Sequence, residues 1–165
     1  MRFLFAFVFS IICNLLSAQA TNELDLINKQ VWFPFISAFQ NLDEEGFLSL
    51  HYKNMIRLNM DEDIKSDYDT YFQSQKDHND YYRKSQKKKL LELRFLHRSI
   101  HESFAYEMGY YKSSDYDLNK KEQFDYYGKF NIILKKEMGV WKIYMDADHG
   151  GVSEQEFLSA KSLNN

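Results

Sequence analysis

The spacing of apolar side chains divides the chain into a helical first part and an extended second part. Between residues 22 and 42 apolar positions recur every three or four residues, which predicts one amphipathic helix. Pro34 lies inside this segment and has no N–H group to donate, so we expect the helix to be kinked there. The apolar positions that define the stripe are Leu24, Ile27, Val31, Phe35, Phe39 and Leu42.

Two further helices are predicted before the chain becomes extended. Asp43 is a suitable N-cap for a short second helix that continues to His51. Ser66 or Asp67 begins a third helix, which ends in the run Lys87–Lys89. We interpret these lysines as a solvated helix C-terminus, where positive charge is favoured by the helix dipole.

The remaining apolar pattern predicts strands. A short strand is expected over residues 54–60, and the period changes to two from Leu90 onward. Residues 113–125 are polar and contain turn-forming residues, which predicts a long hairpin loop. Three helices followed by antiparallel strands indicate an α+β domain with helices on one face of a sheet. The later strands are expected over residues 104–112, 127–136 and 140–146.

The first 20 residues have the pattern of a cleaved secretory signal peptide. Arg2 precedes an almost continuous apolar run over residues 3–16, and Ala18-Gln19-Ala20 forms a small-x-small cleavage site. The run is shorter than the ~20 residues that span a bilayer, although an uncleaved anchor is the alternative. We therefore predict a secreted or periplasmic domain of residues 21–165, cleaved after Ala18 or Ala20 and not attached to a membrane.

Composition excludes several classes of function. The chain has one cysteine, Cys13, which lies in the signal segment, so the mature domain has no disulfide or thiol chemistry. A formal charge of −3 argues against a nucleic-acid partner. The five histidines lack metal-ligand spacing, and residues 146–157 match a calcium loop only in part, so we predict neither a metal nor a cofactor.

The order of these elements, together with several short motifs, resembles the nuclear transport factor 2-like superfamily. The resemblance covers residues 24–158 and is strongest to exported domains related to polyketide cyclases and ketosteroid isomerases. It implies a cone in which three N-terminal helices pack on a strongly curved antiparallel sheet and enclose a pocket, commonly in a homodimer. The motifs that carry it are Trp32-Phe33-Pro34-Phe35, Ala105-Tyr106-Glu107-x-Gly109, Gly128-Lys129-Phe130 and Trp141-Lys142-Ile143-x-x-Asp146.

The resemblance implies that isomerase-like members use a carboxylate base, with a tyrosine and a protonated carboxylic acid as the oxyanion hole. The base would lie on the strand after the second helix, near Asn59 in this chain. An amide cannot accept the proton, and the nearest carboxylate, Asp61, lies in an acidic turn. This departure argues against isomerase chemistry at that position.

The candidate site combines aromatic walls with polar anchors, and we predict that it binds a small, largely apolar ligand. Glu107 lies between small neighbours on its strand and is expected to pair with Arg94 or Arg98, either to hold a ligand or as a cross-strand ion pair. The predicted pocket residues are Trp32, Phe35, Arg94, Glu107, Tyr111 and Asp146.

Two other functions remain open at this point. An isomerase- or cyclase-like enzyme would use Glu107 or Asp146 as its acid–base group. A protein-binding module would instead use the outer face of the sheet, where Tyr106, Tyr110 and Lys129 are expected.

Overall fold

A computed structural model describes residues 22–163 of the chain. The signal-peptide prediction concerns residues 1–20 and lies outside the described residues. The predicted α+β fold is confirmed: three N-terminal helices pack on the concave face of a seven-stranded, curved sheet that does not close.

Helix α1 covers residues 22–40 and consists of an α-helical turn at 22–27, a π-helical segment at Asn28–Trp32 and an α-helix at Phe33–Gln40. The later helices are α2 (Glu44–Ser49), α3 (Tyr68–Ser85) and α4 (Glu154–Ser159). The strands are β1 (His51–Asn59), β2 (Ile64–Ser66), β3 (Lys87–His101), β4 (Phe104–Asp117), β5 (Glu122–Glu137), β6 (Val140–His149) and β7 (Lys161–Ser162).

The sheet has the order β2-β1-β6-β5-β4-β3-β7. Neighbouring strands are antiparallel, except that β1 and β6 run parallel. The parallel pairing sets Arg57 opposite Asp146 and Asn59 opposite Asp148. Polar residues that are far apart in sequence therefore meet on the first and last long strands of the domain.

Pro34 explains the irregular turn in α1. The Phe33 N–H donates to the Asn28 carbonyl, five residues back, and this hydrogen bond closes the π-helical segment. Pro34 then falls in the first turn of the following α-helix, and because it has no N–H group it cannot donate to a carbonyl of the preceding turn. The disruption expected at Pro34 thus takes the form of a π-helical turn directly before it.

Three boundaries differ from the sequence prediction. His51 begins β1 and is not part of α2. The run Lys87–Lys89 is the start of β3, because α3 ends at Gln86 in the left-handed conformation, and Lys89 is only 2 % exposed. The interpretation of all three lysines as solvated is therefore wrong. Most of residues 113–125 extend β4 and β5, which remain paired with each other as far as Asp117 and Glu122.

A bulge in β3 decides which side chains face the helices. The pairing of β3 with β4 shifts between Phe95 and His97, which leaves Leu96 as an extra residue. Phe95 and other odd-numbered residues face inward before the bulge, and even-numbered residues do so after it. Arg94 therefore points to the outer face and Arg98 to the inner face, although four residues would normally place both on one side.

Gly109 permits the close packing of strands at this bulge. A Cβ atom at Gly109 would lie 2.0 Å from the carbonyl oxygen of Arg94 and 2.8 Å from the ring of Phe130. Any larger residue would therefore separate β3 from β4 at the point where the inward face changes. This requirement gives a physical reason for the glycine in the Ala105-Tyr106-Glu107-x-Gly109 motif.

The core lies between the helices and the inner face of the sheet. The larger of two clusters packs α1 onto the middle strands, and the smaller packs α2 and α3 onto β1. Trp32 is 2 % exposed and contacts Phe35, Phe95 and Phe130 through their rings. The aromatic excess seen in the sequence is thus concentrated where helices meet the sheet.

Candidate functional site

A cavity of about 160 Å³ opens between the helical layer and the inner face of the sheet. Its wall is mainly aromatic, which suits a flat apolar group. The cavity is smaller than a site for a drug-sized molecule, roughly 300–1,000 Å³. It is close to the engineered cavity of about 150 Å³ that accepts benzene. The aromatic lining residues are Trp32, Phe35, Phe39, Phe47, Tyr71, Tyr111 and Phe130.

One end of the cavity is polar. Arg57 of β1 donates to Oδ1 of Asp148 at 2.7 Å, and its Nε lies 3.7 Å from Oδ2 of Asp146. The Tyr71 hydroxyl of α3 donates to the same Asp146 oxygen at 3.4 Å. All four side chains line the cavity. Two carboxylates share one guanidinium, so this end of the cavity carries a net negative charge when both are ionised.

The polar end changes the protonation of its members. Burial raises the pKa of Asp148, and the neighbouring Asp146 raises it further, while Arg57 opposes both effects. Burial, followed by the charge on Asp146, also raises the pKa of Tyr71. Tyr71 is thus a neutral hydroxyl donor, and Asp148 is the carboxyl group in this cluster that takes up a proton more readily than usual.

Tyr111 also lines the cavity, within electrostatic reach of Asp148, Arg57 and Asp146. Burial raises the pKa of its phenol to about 12, so the hydroxyl keeps its proton at neutral pH. The ring lies flat over Gly128, where a Cβ atom would come within 2.3 Å of the Tyr111 ring. Gly128 therefore makes room for Tyr111, and any side chain there would push the phenol toward the cavity.

Glu107 forms a second polar centre, which does not line the cavity. One of its oxygens accepts from Arg98 Nε at 2.6 Å, and the other accepts from the Trp32 indole at 2.6 Å. The Arg98 guanidinium also donates to the Asn28 side chain at 2.7 Å. Glu107 is fully buried, and burial raises its pKa while Arg98 and Trp32 oppose that effect. Both carboxylate oxygens are occupied by the protein itself.

The six residues predicted for the pocket separate into three groups. Trp32, Phe35, Tyr111 and Asp146 all line the cavity. Glu107 lies behind Trp32, as described above. Arg94 does not reach the inner face, because the Leu96 bulge directs it outward.

On the outer face Arg94 contacts the C-terminal segment. Its Nε lies 3.1 Å from Glu92, and its guanidinium donates to the Leu158 carbonyl at 3.3 Å. The same guanidinium lies 4.8 Å from the centre of the Phe157 ring. The pairing that the sequence left open between Arg94 and Arg98 is thus resolved in favour of Arg98.

Sequence reasoning missed Arg57, Tyr71 and Asp148. Arg57 lies two residues before Asn59 on the same strand, so strand alternation alone places it on the same face as Asn59. Asn59 is the position at which the resemblance implies a catalytic base. Asp148 was considered only as part of an incomplete calcium loop. The parallel pairing of β1 with β6, which joins the two, has no signal in the local sequence.

Asn59 itself has a structural role. Its side-chain oxygen accepts from the Asp61 and Glu62 N–H groups at 3.1 and 3.3 Å, and its amide donates to Glu62 at 3.0 Å. It therefore stabilises the acidic turn after β1. Asp61 accepts from the Gly150 N–H at 2.6 Å, which joins this turn to the end of β6.

His51 lies behind the aromatic wall. Its Nδ1 bonds the Phe47 carbonyl at 3.0 Å, and burial lowers the pKa of the imidazole to about 3. Nδ1 therefore donates, and Nε2 is an acceptor without a hydrogen-bond partner among residues 22–163. The histidine is a neutral member of the core near Phe35 and Tyr71.

The outer face of the sheet carries the residues named for a protein-binding module. Tyr106 is 38 % exposed, and its hydroxyl donates to Asn131 at 3.0 Å. Tyr110 and Lys129 are opposite each other on β4 and β5. In the part of the chain that the structure describes, no cluster of His, Cys, Asp and Glu is arranged to hold a metal ion, and no helix has the length and apolarity to cross a membrane.

Comparisons with known proteins identify the fold. At 14% identity, a nuclear transport factor 2-like protein of unknown function from Shewanella oneidensis superposes with a TM-score of 0.58, covering 76% of this chain and 97% of that one. A ketosteroid isomerase-like protein from Erwinia carotovora atroseptica gives a TM-score of 0.59 at 9% identity, covering 79% of this chain and 98% of that one.

A candidate scytalone dehydratase from Novosphingobium aromaticivorans covers 92% of this chain and 96% of its own, with a TM-score of 0.65 at 12% identity. No protein-family model and no curated protein matches the sequence. At these identities the likeness concerns the fold alone. The chain therefore has the nuclear transport factor 2-like fold that the sequence motifs predicted.

Proposed function

We propose that the cavity binds a small ring compound that carries one hydroxyl or amino group. The observation that carries this proposal is the combination of an aromatic wall with a polar end in which Arg57 lies between Asp146 and Asp148. The aromatic part would hold the ring, and the carboxylates would accept hydrogen bonds from the polar group. The volume of about 160 Å³ supports a single ring and not a fused steroid.

The charges at the polar end favour a neutral or cationic ligand. Arg57 is already engaged by two carboxylates, so it offers little attraction to a further anion. A ligand carboxylate would meet Asp146 and Asp148, and that repulsion is strong where water is largely excluded. An alcohol or an amine instead adds the donor that these oxygens lack.

Binding of three matched probes tests this proposal. Benzyl alcohol, benzylamine and benzoate share one ring and differ in the group that would face Asp146 and Asp148. We expect isothermal titration calorimetry and chemical-shift perturbation to show binding of the alcohol and amine, and at least ~10-fold weaker binding of benzoate. Equal binding of all three, or binding of none, would contradict the proposal.

Single substitutions at two adjacent leucines test whether the probes bind in this cavity. Leu91 lines the cavity, whereas Leu90 faces outward and is 44 % exposed. Leu91→Trp should fill the cavity and abolish binding of benzyl alcohol, and Leu90→Trp should leave it unchanged. Binding that survives Leu91→Trp would place the ligand elsewhere on the protein.

The raised pKa of Asp148 favours a second candidate function, proton transfer to or from a bound substrate. A carboxyl group in an aromatic cavity is suited to this role when its pKa approaches neutrality. The base-catalysed ring opening of a benzisoxazole provides a test, because the base removes a C–H proton while the N–O bond breaks. We expect a rate that rises with pH through the pKa of Asp148 and is lost in Asp148→Asn. An unchanged rate in that variant would exclude the candidate.

A further inference from the structure

Arg57 lies at one end of the cavity, and Lys89 lies just beyond the other end. On β3 and β4, the cavity-lining pair Leu91 and Ser113 is followed on the same face by the pair Lys89 and Asp115. On α3, the cavity-lining Gln75 is followed one turn later by Asn79, which bonds Lys89. The lysine therefore belongs to the next layer of the same interior.

The ammonium group of Lys89 is buried with few partners. Its Nζ donates one hydrogen bond, to the Asn79 side-chain oxygen at 2.8 Å. The centres of the Phe39 and Tyr82 rings lie 4.3 and 5.1 Å from Nζ. Among the described residues no carboxylate forms an ion pair with it; the nearby Asp115 acts on its charge from a greater distance and accepts a hydrogen bond from the Tyr82 hydroxyl.

These surroundings favour the neutral amine. Burial lowers the pKa of Lys89 to about 8, from about 10.4 for an exposed lysine. Asp115 on β4 and Glu44 on α2 oppose the shift, whereas Arg83 on α3 adds to it. The other titratable side chains of α3 that face this layer are Tyr82 and His78, which stack on each other. Near pH 8 about half of the Lys89 side chains carry a free lone pair.

We propose that Lys89 is a nucleophilic amine that captures a small aldehyde or ketone from the cavity as an imine. The inference rests on the proposed binding of small ring compounds in that cavity. The Nζ lone pair attacks the carbonyl carbon, and one of the two Nζ protons moves to the oxygen, which gives a neutral carbinolamine. Its hydroxyl then leaves as water together with the last Nζ proton, and the C=N bond forms. No oxidant or reductant is required.

The route from the cavity to Nζ is short. Phe39 both lines the cavity and covers Nζ, so a single aromatic side chain separates the two. Phe39 is only partly buried, which leaves its ring room to rotate. Rotation would expose the amine to a carbonyl group whose ring remains against the aromatic wall.

Reductive labelling with benzaldehyde tests the inference. The full chain would be incubated with benzaldehyde and sodium cyanoborohydride at pH 8, and the modified lysines would be identified by peptide mass mapping. Lys88 is the internal control, because it precedes Lys89 and is exposed. The difference in free amine favours Lys89 by roughly 100-fold, so even with restricted access we expect it to be labelled at least ~10-fold faster. Labelling of Lys89 no faster than Lys88 would overturn the inference.

The pH profile and two variants add independent readouts. Labelling of Lys89 should rise with a midpoint near pH 8, and labelling of the exposed Lys88 in the same samples is the control. Lys89→Arg should remove the fast label, and Lys88→Arg should retain it. The comparison of Lys89 with Lys88 in the unsubstituted protein decides the question without the variants. The inference therefore stays testable even if Lys89→Arg does not fold.

Benzyl alcohol separates this inference from the proposed function. It has the ring but no carbonyl group, so it should compete for the cavity and slow the labelling of Lys89. If benzyl alcohol binds but Lys89 is not labelled preferentially, the amine inference is wrong and the binding proposal stands. If Lys89 is labelled rapidly and saturating benzyl alcohol does not slow it, capture through the cavity is excluded.

Discussion

The two arginine–carboxylate centres inside the cone use the same chemical groups to different effect. In the Arg98 centre both oxygens of Glu107 accept hydrogen bonds of 2.6 Å, and the carboxylate is fully buried. In the Arg57 centre the contacts to Asp146 reach 3.4 and 3.7 Å, and Asp148 keeps 27 % of its side chain exposed. The first centre has no acceptor left for a ligand, whereas the second retains acceptors that face a cavity.

This difference shows that a buried carboxylate is not by itself a sign of a binding site. Glu107 is the more deeply buried group, and the sequence left open whether it holds a ligand or forms a cross-strand ion pair. Its partners, Trp32 and Arg98, come from the helix and the sheet, so the contact joins the two layers. The looser Arg57 centre is the one with capacity for an external partner.

The largest expected effect comes from breaking the closed centre. Glu107→Ala leaves Arg98 and the Trp32 indole without their partner, and we expect a loss of about 3–5 kcal/mol in the free energy of unfolding. Urea denaturation of the variant measures it. The control is Glu137→Ala, because Glu137 is 53 % exposed and its pair with Lys135 should contribute less than ~1 kcal/mol. Similar losses in both variants would mean that the Glu107 centre does not join the layers.

Removing the arginine of the open centre should have a smaller effect on stability and a larger one on binding. Arg57→Met leaves Asp146 and Asp148 unpaired, but either can take up a proton, so we expect a loss of about 1–3 kcal/mol. Benzyl alcohol titration should show lost or altered affinity. Arg94→Met on the outer face is the matched control and should bind the ligand normally. If Arg57→Met bound benzyl alcohol with unchanged affinity, the ligand would have to bind away from this centre.

The pH dependence of stability should have opposite signs at two carboxylates. The pKa of Asp148 is raised, so the folded state holds its proton more tightly and stability falls as pH rises above about 4. Asp148→Asn should therefore gain stability relative to the unsubstituted protein between pH 4 and pH 7. Urea denaturation across this range gives the difference, and a flat difference would show that Asp148 titrates normally.

Glu44 provides the contrast. Burial would raise its pKa, but hydrogen bonds from Arg83 and Asn79 lower it to about 2. This stabilisation is present above about pH 4.5 and is lost as pH falls toward 2. Glu44→Gln should therefore lose stability relative to the unsubstituted protein as pH rises from 2 to 5. If the stability difference between variant and unsubstituted protein changed with pH in the same direction at Asp148 and Glu44, the opposite pKa shifts of the two carboxyl groups would be contradicted.

The smallest expected effect on stability is that of removing the Tyr111 hydroxyl from the cavity wall. The Tyr111 hydroxyl has no hydrogen-bond partner among the described side chains, so Tyr111→Phe should change the free energy of unfolding by less than ~0.5 kcal/mol. Its effect on benzyl alcohol affinity tells whether the hydroxyl contacts the ligand. Gly128→Ala, which displaces the same ring, should instead reduce both stability and binding. Equal behaviour of the two variants would contradict the packing of Tyr111 on Gly128.

Local chemistry made much of the fold predictable. Asp43 and Asp67 accept hydrogen bonds from the N–H groups of the residues three positions later, as their sequence contexts indicated. The predicted first helix carries Trp32 and Phe35, and both pack in the core against the sheet. These features depend on neighbours within four residues, so a single sequence contains the necessary information.

The rest of the site depends on pairing between distant strands. Nothing near Arg57 indicates that β1 runs parallel to β6, and this pairing is what sets it beside Asp146 and Asp148. Lys89 looked like the end of a helix because two other lysines precede it. Its burial follows from the left-handed turn at Gln86, which starts β3 early and directs alternate lysines inward.

The extra residue at Leu96 makes the length of β3 as important as its chemistry. Deleting that one codon would remove the bulge and restore regular alternation, while His97 and the residues after it would stay on their present faces. A saturation-mutagenesis map of β3 in the unsubstituted protein should show tolerance to charge that changes phase at Leu96. In related chains, a gap of one residue here would be expected to leave the core and solvent positions on both sides of it unchanged.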